Sequence, residues 1–172
     1  MAFYRWFDRD FDFAIPVWMY PNVVERLRGT PARLEELARP LAKNVVTARD
    51  GKRWSIQEHA GHLWDVEALW DARLDDFEAG RDALTPADLE NTRTYQADYN
   101  LRDLESILAG FRAARQKLVG RLEGYDDTFV ARSALHPRLN QPMRVLDSAF
   151  FAAEHDDHHL ARISELIRKS GR

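Results

Sequence analysis

The chain contains no cysteine. That excludes a disulfide framework, thiolate metal ligands and a cysteine nucleophile. No uninterrupted apolar run is long enough to span a bilayer. Positive charge is not in excess: 25 Lys and Arg against 28 Asp and Glu leave a formal net charge of −3, which argues against a nucleic-acid partner. There is no low-complexity tract or internal repeat, and strand signals are sparse. The stretch from Met1 to Asp12 alternates aromatic and charged residues, unlike a signal peptide. A cytoplasmic protein with no membrane partner is the expectation.

What is present points to a helical domain. A chain of 172 residues can build one full-sized core, and 45% apolar with 31% charged residues is the balance of a soluble globular fold. Four blocks carry apolar residues at helical spacing. The first runs from about Asn22 to Lys43, with Val23, Val24, Leu27, Leu34, Leu37 and Leu41 on one face; Gly29 and Pro31 should kink or split it. The second opens at Ser55, which with Glu58 forms a capping box, and continues to Gly80 through Ile56, Leu63, Val66, Leu69, Trp70, Leu74 and Phe77. The third covers about Leu101 to Glu123 and the fourth about Arg144 to Lys169. The link from Gly80 to Asn100 is long enough for the second and third helices to run parallel, whereas Asn44–Trp54 and Tyr125–Pro142 read as shorter links, the latter marked by Pro137 and Pro142. The first twenty residues hold Phe3, Tyr4, Trp6, Phe7, Phe11, Phe13, Trp18 and Tyr20. They are expected to form an arm (1–20) that packs on the bundle (21–170) or on a second subunit, with a lid over a site as the other possibility.

The chemistry concentrates in histidines. His155 and His159 are four apart on the fourth helix, so both imidazoles lie on one face, one turn apart. His62 lies on the second helix and can point across a bundle core. Together His62, His155 and His159 are the candidate ligands of one divalent cation, with a position left open for water or substrate. Imidazole suits Zn, Ni, Fe or Cu. His59 and His158 are turned off that face and read as supporting or exposed residues. His136 sits in a loop from which it could contact a substrate. One of Glu58, Asp65, Glu154, Asp156 and Asp157 could orient an imidazole, the rest forming a solvated face. Arg53, Arg73, Arg138 and Arg144 read as surface pairs, or as holders of an anionic cofactor.

Two strings carry a resemblance. Trp54-Ser55-Ile56-Gln57-Glu58-His59-Ala60-Gly61-His62-Leu63 resembles the opening of the second helix in the DinB-like (YfiT-like) family, and Glu154-His155-Asp156-Asp157-His158-His159-Leu160-Ala161-Arg162-Ile163 resembles that family's last helix. Gly29 to Glu35 and His136-Pro137-Arg138 are also similar to family segments, so the likeness spans about Pro21 to Arg168. It implies an all-α four-helix bundle in up-down-down-up order with one long crossover, often a homodimer. It implies a divalent metal (Zn, Ni, Fe or Mn) on three His, here His62, His155 and His159. Among relatives are transferases that use bacillithiol, mycothiol or glutathione, and thiol-dependent isomerases. The expectation is a metal-dependent transferase joining a low-molecular-weight thiol to a small electrophile. The alternatives are a hydrolase on the same site, or a non-catalytic metal- or ligand-binding homodimer in stress response.

Overall fold

The computed structural model describes residues 5–171. Phe3 and Tyr4 of the aromatic set lie outside the described residues. The elements are α1 (Tyr20–Ala38), α2 (Lys43–Val46), α3 (Ile56–Asp65), α4 (Glu67–Glu78), α5 (Thr92–Gln96), α6 (Leu104–Glu123), α7 (Asp127–Val130), β1 (Ser133–His136), β2 (Gln141–Arg144) and α8 (Val145–Ser170). Helices α1, α6, α8 and the in-line pair α3–α4 make the bundle. Side-chain pairings give their directions. Tyr20 reaches the Leu122 carbonyl and Arg39 reaches Glu105, so α1 and α6 are antiparallel. Trp64 packs at Gly110, Arg115 pairs with Glu67 and Arg121 with Asp75, so α3–α4 and α6 are parallel. His59 meets His159 and Trp70 meets Phe151, so α3–α4 and α8 are antiparallel. The order is up-down-down-up, and the long crossover between α4 and α6 allows the parallel pair.

The helix starts have local causes. Ser55 accepts from the Glu58 N–H at 3.1 Å while the Glu58 carboxylate accepts from the Ser55 N–H at 2.9 Å, the reciprocal capping box. Asp103 caps α6 by accepting from the Ser106 N–H at 2.9 Å. The second helix of the sequence reading is broken at Val66 into α3 and α4.

Pro31 neither splits nor ends α1, which is continuous from Tyr20 to Ala38. Proline cannot donate to the carbonyl four residues back, here Leu27. That carbonyl instead accepts from the Arg115 guanidinium at 3.0 Å, so the break expected from sequence is repaired from another helix.

The core is in two apolar halves. One gathers Leu27, Trp70, Phe77, Leu118, Leu146 and Phe151; the other gathers Leu34, Ile56, Leu63, Ile107, Phe111 and Ile163. Between them every bundle helix places a buried polar residue: Thr30, Glu67, Arg115 and Asp156. Arg115 is 1% exposed and pairs with Glu67 at 2.6 Å and Asp156 at 2.5 Å, while Thr30 donates to Asp156 at 2.8 Å. Such a belt is costly to desolvate and holds only because its members satisfy one another.

The link before α8 holds a pair of strands that the sparse strand signals of the sequence did not mark. Strands β1 and β2 form an antiparallel hairpin pairing Ser133 with Arg144 and His136 with Gln141. Ala83 of the crossover bridges to Leu135, which ties crossover and hairpin together. The arm lies on the bundle: Trp6, Phe11, Phe13, Ile15 and Val17 pack on the first apolar half. Arg144 donates to the Phe13 and Ile15 carbonyls at 2.9 and 2.8 Å, and Arg9 pairs with Glu154 at 2.6 Å. No helix among the described residues is long and apolar enough to cross a membrane.

Candidate metal centre

Directly beside the polar belt, α3 and α8 bring His62, His155 and His159 together, all three buried. The His155 Nε2 lies 3.3 Å from the His62 Nε2 and 3.2 Å from the His159 Nε2. Nitrogens bound tetrahedrally to one cation at about 2.0–2.1 Å would lie about 3.3–3.4 Å apart, so the spacing fits a shared divalent ion.

The partners on the far side of two rings set which nitrogen is free. Thr94 of α5 donates its hydroxyl to Asp65 at 2.9 Å. Its oxygen therefore accepts from the His62 Nδ1–H at 3.1 Å, leaving the His62 Nε2 unprotonated and aimed at the cluster. Asp65 is itself held by the Tyr99 hydroxyl at 2.7 Å and by Arg93 at 2.9 Å. The His159 Nδ1 meets the His59 Nδ1 at 2.8 Å, so His59 orients a neighbour's ring. This carboxylate–hydroxyl–imidazole arrangement is the kind that fixes ligand tautomers in metal sites.

Burial keeps the rings neutral. It pushes His62 down to about 4 and His59 down to about 3, and holds His155 and His159 well below the usual imidazole value, each helped by the neighbouring imidazoles in the last three cases. Neutral rings are ready ligands. Below the cluster, burial raises the Glu67 carboxyl to about 7 against the pull of Arg115. Burial opposes the Arg115 cation, but Asp156 and Glu67 outweigh it and its pKa is raised.

The cluster opens to a cavity of about 740 Å³. Trp54 lies over His62 with ring centres 4.7 Å apart, and Trp6 of the arm meets His155 edge-on at 5.1 Å. The arm thus borders the site as well as packing on the core. Basic side chains outnumber acidic ones in the wall: Arg5, Lys52, Arg53, Arg162 and Lys169 against Asp50 and Glu165.

Other sequence candidates fall differently. His158 is half-buried beside Trp6, at 5.7 Å between ring centres, and is not part of the converging trio. His136 is buried on β1, where its Nδ1 accepts from the Leu139 N–H at 3.1 Å. Of the acidic residues expected on a solvated face, Glu58, Asp65 and Asp156 are buried, and Asp65 is the one that works through Thr94 on His62. Glu154 and Asp157 pair with Arg26, with Arg9 also on Glu154 and Arg33 on Asp157. Arg53 is exposed near Asp50, and Arg144 is engaged by Asp147 and the arm. Arg73 is no surface residue: it is 1% exposed. Thr94 and Arg115 had no place in the sequence reading. Thr94 lies in the crossover without any periodic signal; Arg115 stands in an apolar stripe and could have been noticed there.

The chain belongs to the DinB superfamily: the family model matches residues 26–163. A solved structure, YfiT from Bacillus subtilis, is similar over 95% of this chain and 94% of its own, with a TM-score of 0.83 at 20% sequence identity. That protein is described as a probable metal-dependent hydrolase with an unusual four-helix bundle topology. No curated protein is significantly similar in sequence to this chain.

Proposed function

We propose that this member of the DinB superfamily is a metal-dependent enzyme that transfers a low-molecular-weight thiol to a small electrophile, with His62, His155 and His159 as the protein ligands of one divalent cation (Zn, Ni, Fe or Mn). The observation that carries the reading is the convergence of three ring nitrogens at the wall of an open cavity, with the His155 Nε2 3.3 Å from that of His62 and 3.2 Å from that of His159. A site meant only to store or bind metal would be closed by a fourth protein ligand. When bound, such a cation lowers the pKa of a thiol or water in its open position and supplies a nucleophile at neutral pH.

The chain's own residues do the rest. Thr94 and Asp65 hold the His62 tautomer, and His59 orients His159. Trp6 and Trp54 restrict water around the rings. The mainly basic wall favours an anionic co-substrate, which supports a carboxylate-bearing thiol over water. In the transfer the sulfur forms a bond to the electrophilic carbon, the leaving group departs with its bonding pair, and the thiol proton is released to solvent. Hydrolysis at the same site is the second reading, favoured by the description of YfiT. The reading takes residues 21–170 as the catalytic bundle and 1–20 as its arm. A homodimer goes with it on the strength of the family resemblance, and a cytoplasmic location on the absence of cysteine.

The test is to reconstitute the protein with each metal and assay bacillithiol, mycothiol and glutathione with 1-chloro-2,4-dinitrobenzene, beside His155→Ala. Thiol-dependent product that disappears in the variant supports transfer. Ester turnover without thiol moves the assignment to hydrolysis. Full turnover by a metal-free variant sinks both.

A further inference from the structure

A second, smaller cavity of about 320 Å³ adjoins the first and shares Trp6, Phe7, His62, Asn91 and His155 with it. Its size is at the low end for small-molecule sites. Its body is apolar, built around Phe151, whose ring lies 5.0 Å from Trp6, 6.2 Å from Trp70 and 5.2 Å from His136.

Several side chains that line this cavity carry a buried nitrogen with no partner. Among the described residues, the buried side-chain nitrogens with no hydrogen-bond partner are Trp70 Nε1, Arg73 Nη1, His136 Nε2, Arg138 Nη2 and His155 Nδ1, and every one belongs to a residue lining this cavity. All are donors or carry one by argument. Indole and guanidinium nitrogens only donate. His136 accepts a backbone N–H on Nδ1, so its proton is on Nε2. His155 offers Nε2 to the cluster, which puts its proton on Nδ1. Among the described residues no buried side-chain oxygen is left unpaired beside them.

Charge agrees. Arg73 and Arg138 line the cavity and pair with no carboxylate among the described residues. Asp76, whose charge Arg73 feels, is taken by the Thr85 N–H at 2.5 Å and by Arg81 at 3.1 Å. Of the acids in the wall, Asp65 is held by Tyr99, Thr94 and Arg93, and the exposed Asp88 accepts the Glu90 and Thr92 N–H groups. Buried cations and buried donors without partners are costly, and native proteins leave few of them.

We propose that the smaller cavity is a carboxylate subsite for a small acid with an apolar, ring-sized body, its oxygens received by Arg73, Arg138 and His136. In the enzymatic reading this is where the electrophile sits, across the shared histidines from the thiol; the subsite rests on that reading only for this role, because binding can be measured without turnover.

The probe is benzoate, with benzamide as its uncharged counterpart, titrated by calorimetry and by the fluorescence of the cavity tryptophans. Metal-depleted and metal-loaded protein are compared. Benzoate should bind both forms, on the order of tenfold or more tighter than benzamide. Arg73→Met and Arg138→Met should each remove that preference and leave benzamide binding unchanged; Arg138 is half-buried in a loop, so its variant reads out even if Arg73→Met fails to fold. His159→Ala, which damages the cluster but does not line this cavity, should keep benzoate binding. Equal binding of the two probes, no binding of either, unchanged binding in both arginine variants, or loss of benzoate only in His159→Ala would overturn the subsite. Benzoate binding by a protein that never holds metal would keep the subsite and remove the enzymatic role. Metal-dependent turnover indifferent to substrate carboxylates would keep the enzymatic reading and remove the subsite's role in holding the electrophile.

Discussion

Thr94→Val is the perturbation that isolates how the crossover serves the histidines. Valine is close in shape to threonine but has no hydroxyl. In the structure that hydroxyl accepts from the His62 Nδ1–H at 3.1 Å and donates to Asp65 at 2.9 Å, and Thr94 is only 4% exposed. The variant leaves an imidazole N–H buried without a partner, a loss of about 1–3 kcal/mol. Asp65 keeps Tyr99 and Arg93, so the fold should stand. The His62 ring is then free to turn and to exchange its tautomer. Metal affinity should fall roughly ten- to a hundredfold, the range for removing a group that orients a ligand. The assay is competition with a chelator at neutral pH, beside the melting temperature of the metal-free protein. Thr94→Ser keeps the hydroxyl and should bind metal within a few-fold of the parent. If Thr94→Val holds metal as tightly as Thr94→Ser, the orienting chain from Asp65 through Thr94 to His62 is wrong.

Arg115→Met should be severely destabilising, because Glu67, Asp156 and the Leu27 carbonyl all lose their buried partner. A loss of about 3–5 kcal/mol lowers the melting temperature of a chain this size by roughly 10 °C, and a shift under about 2 °C would contradict the belt. Gly61→Ala should also destabilise, since a Cβ there would stand 2.3 Å from the Tyr99 ring. The cost is about 1–3 kcal/mol by overpacking, with weaker metal binding as Tyr99 is pushed off Asp65; urea midpoints and chelator competition read both effects. For the metal-free protein, stability should fall on acidification. Burial lowers folded His62 to about 4 while the unfolded imidazole titrates near 6.5, so between those values only the unfolded state takes the proton. The stability present above pH 6.5 is lost toward pH 4, on the order of 3 kcal/mol from His62 alone. Urea midpoints that stay flat or rise from pH 7 to pH 4.5 would refute this.

The four bundle helices were legible because their apolar faces repeat at helical spacing, and Ser55 with Glu58 marks a start that the structure reproduces as a capping box. His155 and His159 were legible as a pair because helix geometry alone puts positions four apart on one face. The polar belt was written in the same stripes: Thr30, Glu67, Arg115 and Asp156 each stand where an apolar residue is due between buried neighbours. Reading a stripe for its apolar members hides that interruption. Pro31 misled because a proline's effect depends on what meets the carbonyl it frees, and Arg115 comes from 84 positions on, beyond any local rule. The hairpin of β1 and β2 was illegible for a different reason. Its strands have four residues each, one of them Pro142, too short for alternation to register. Thr94 could not be found at all, since only the tertiary fold brings the crossover to His62.

Whether His62, His155 and His159 hold one divalent cation is decided by elemental analysis of tag-free protein, wild type beside His62→Ala, with X-ray absorption on the loaded form. Near-stoichiometric divalent metal is expected in the wild type, with nitrogen ligands at about 2.0–2.1 Å, and the metal should be lost in the variant. A wild type that stays empty after reconstitution with Zn, Ni, Mn or Fe, or a variant that retains its metal, would contradict this.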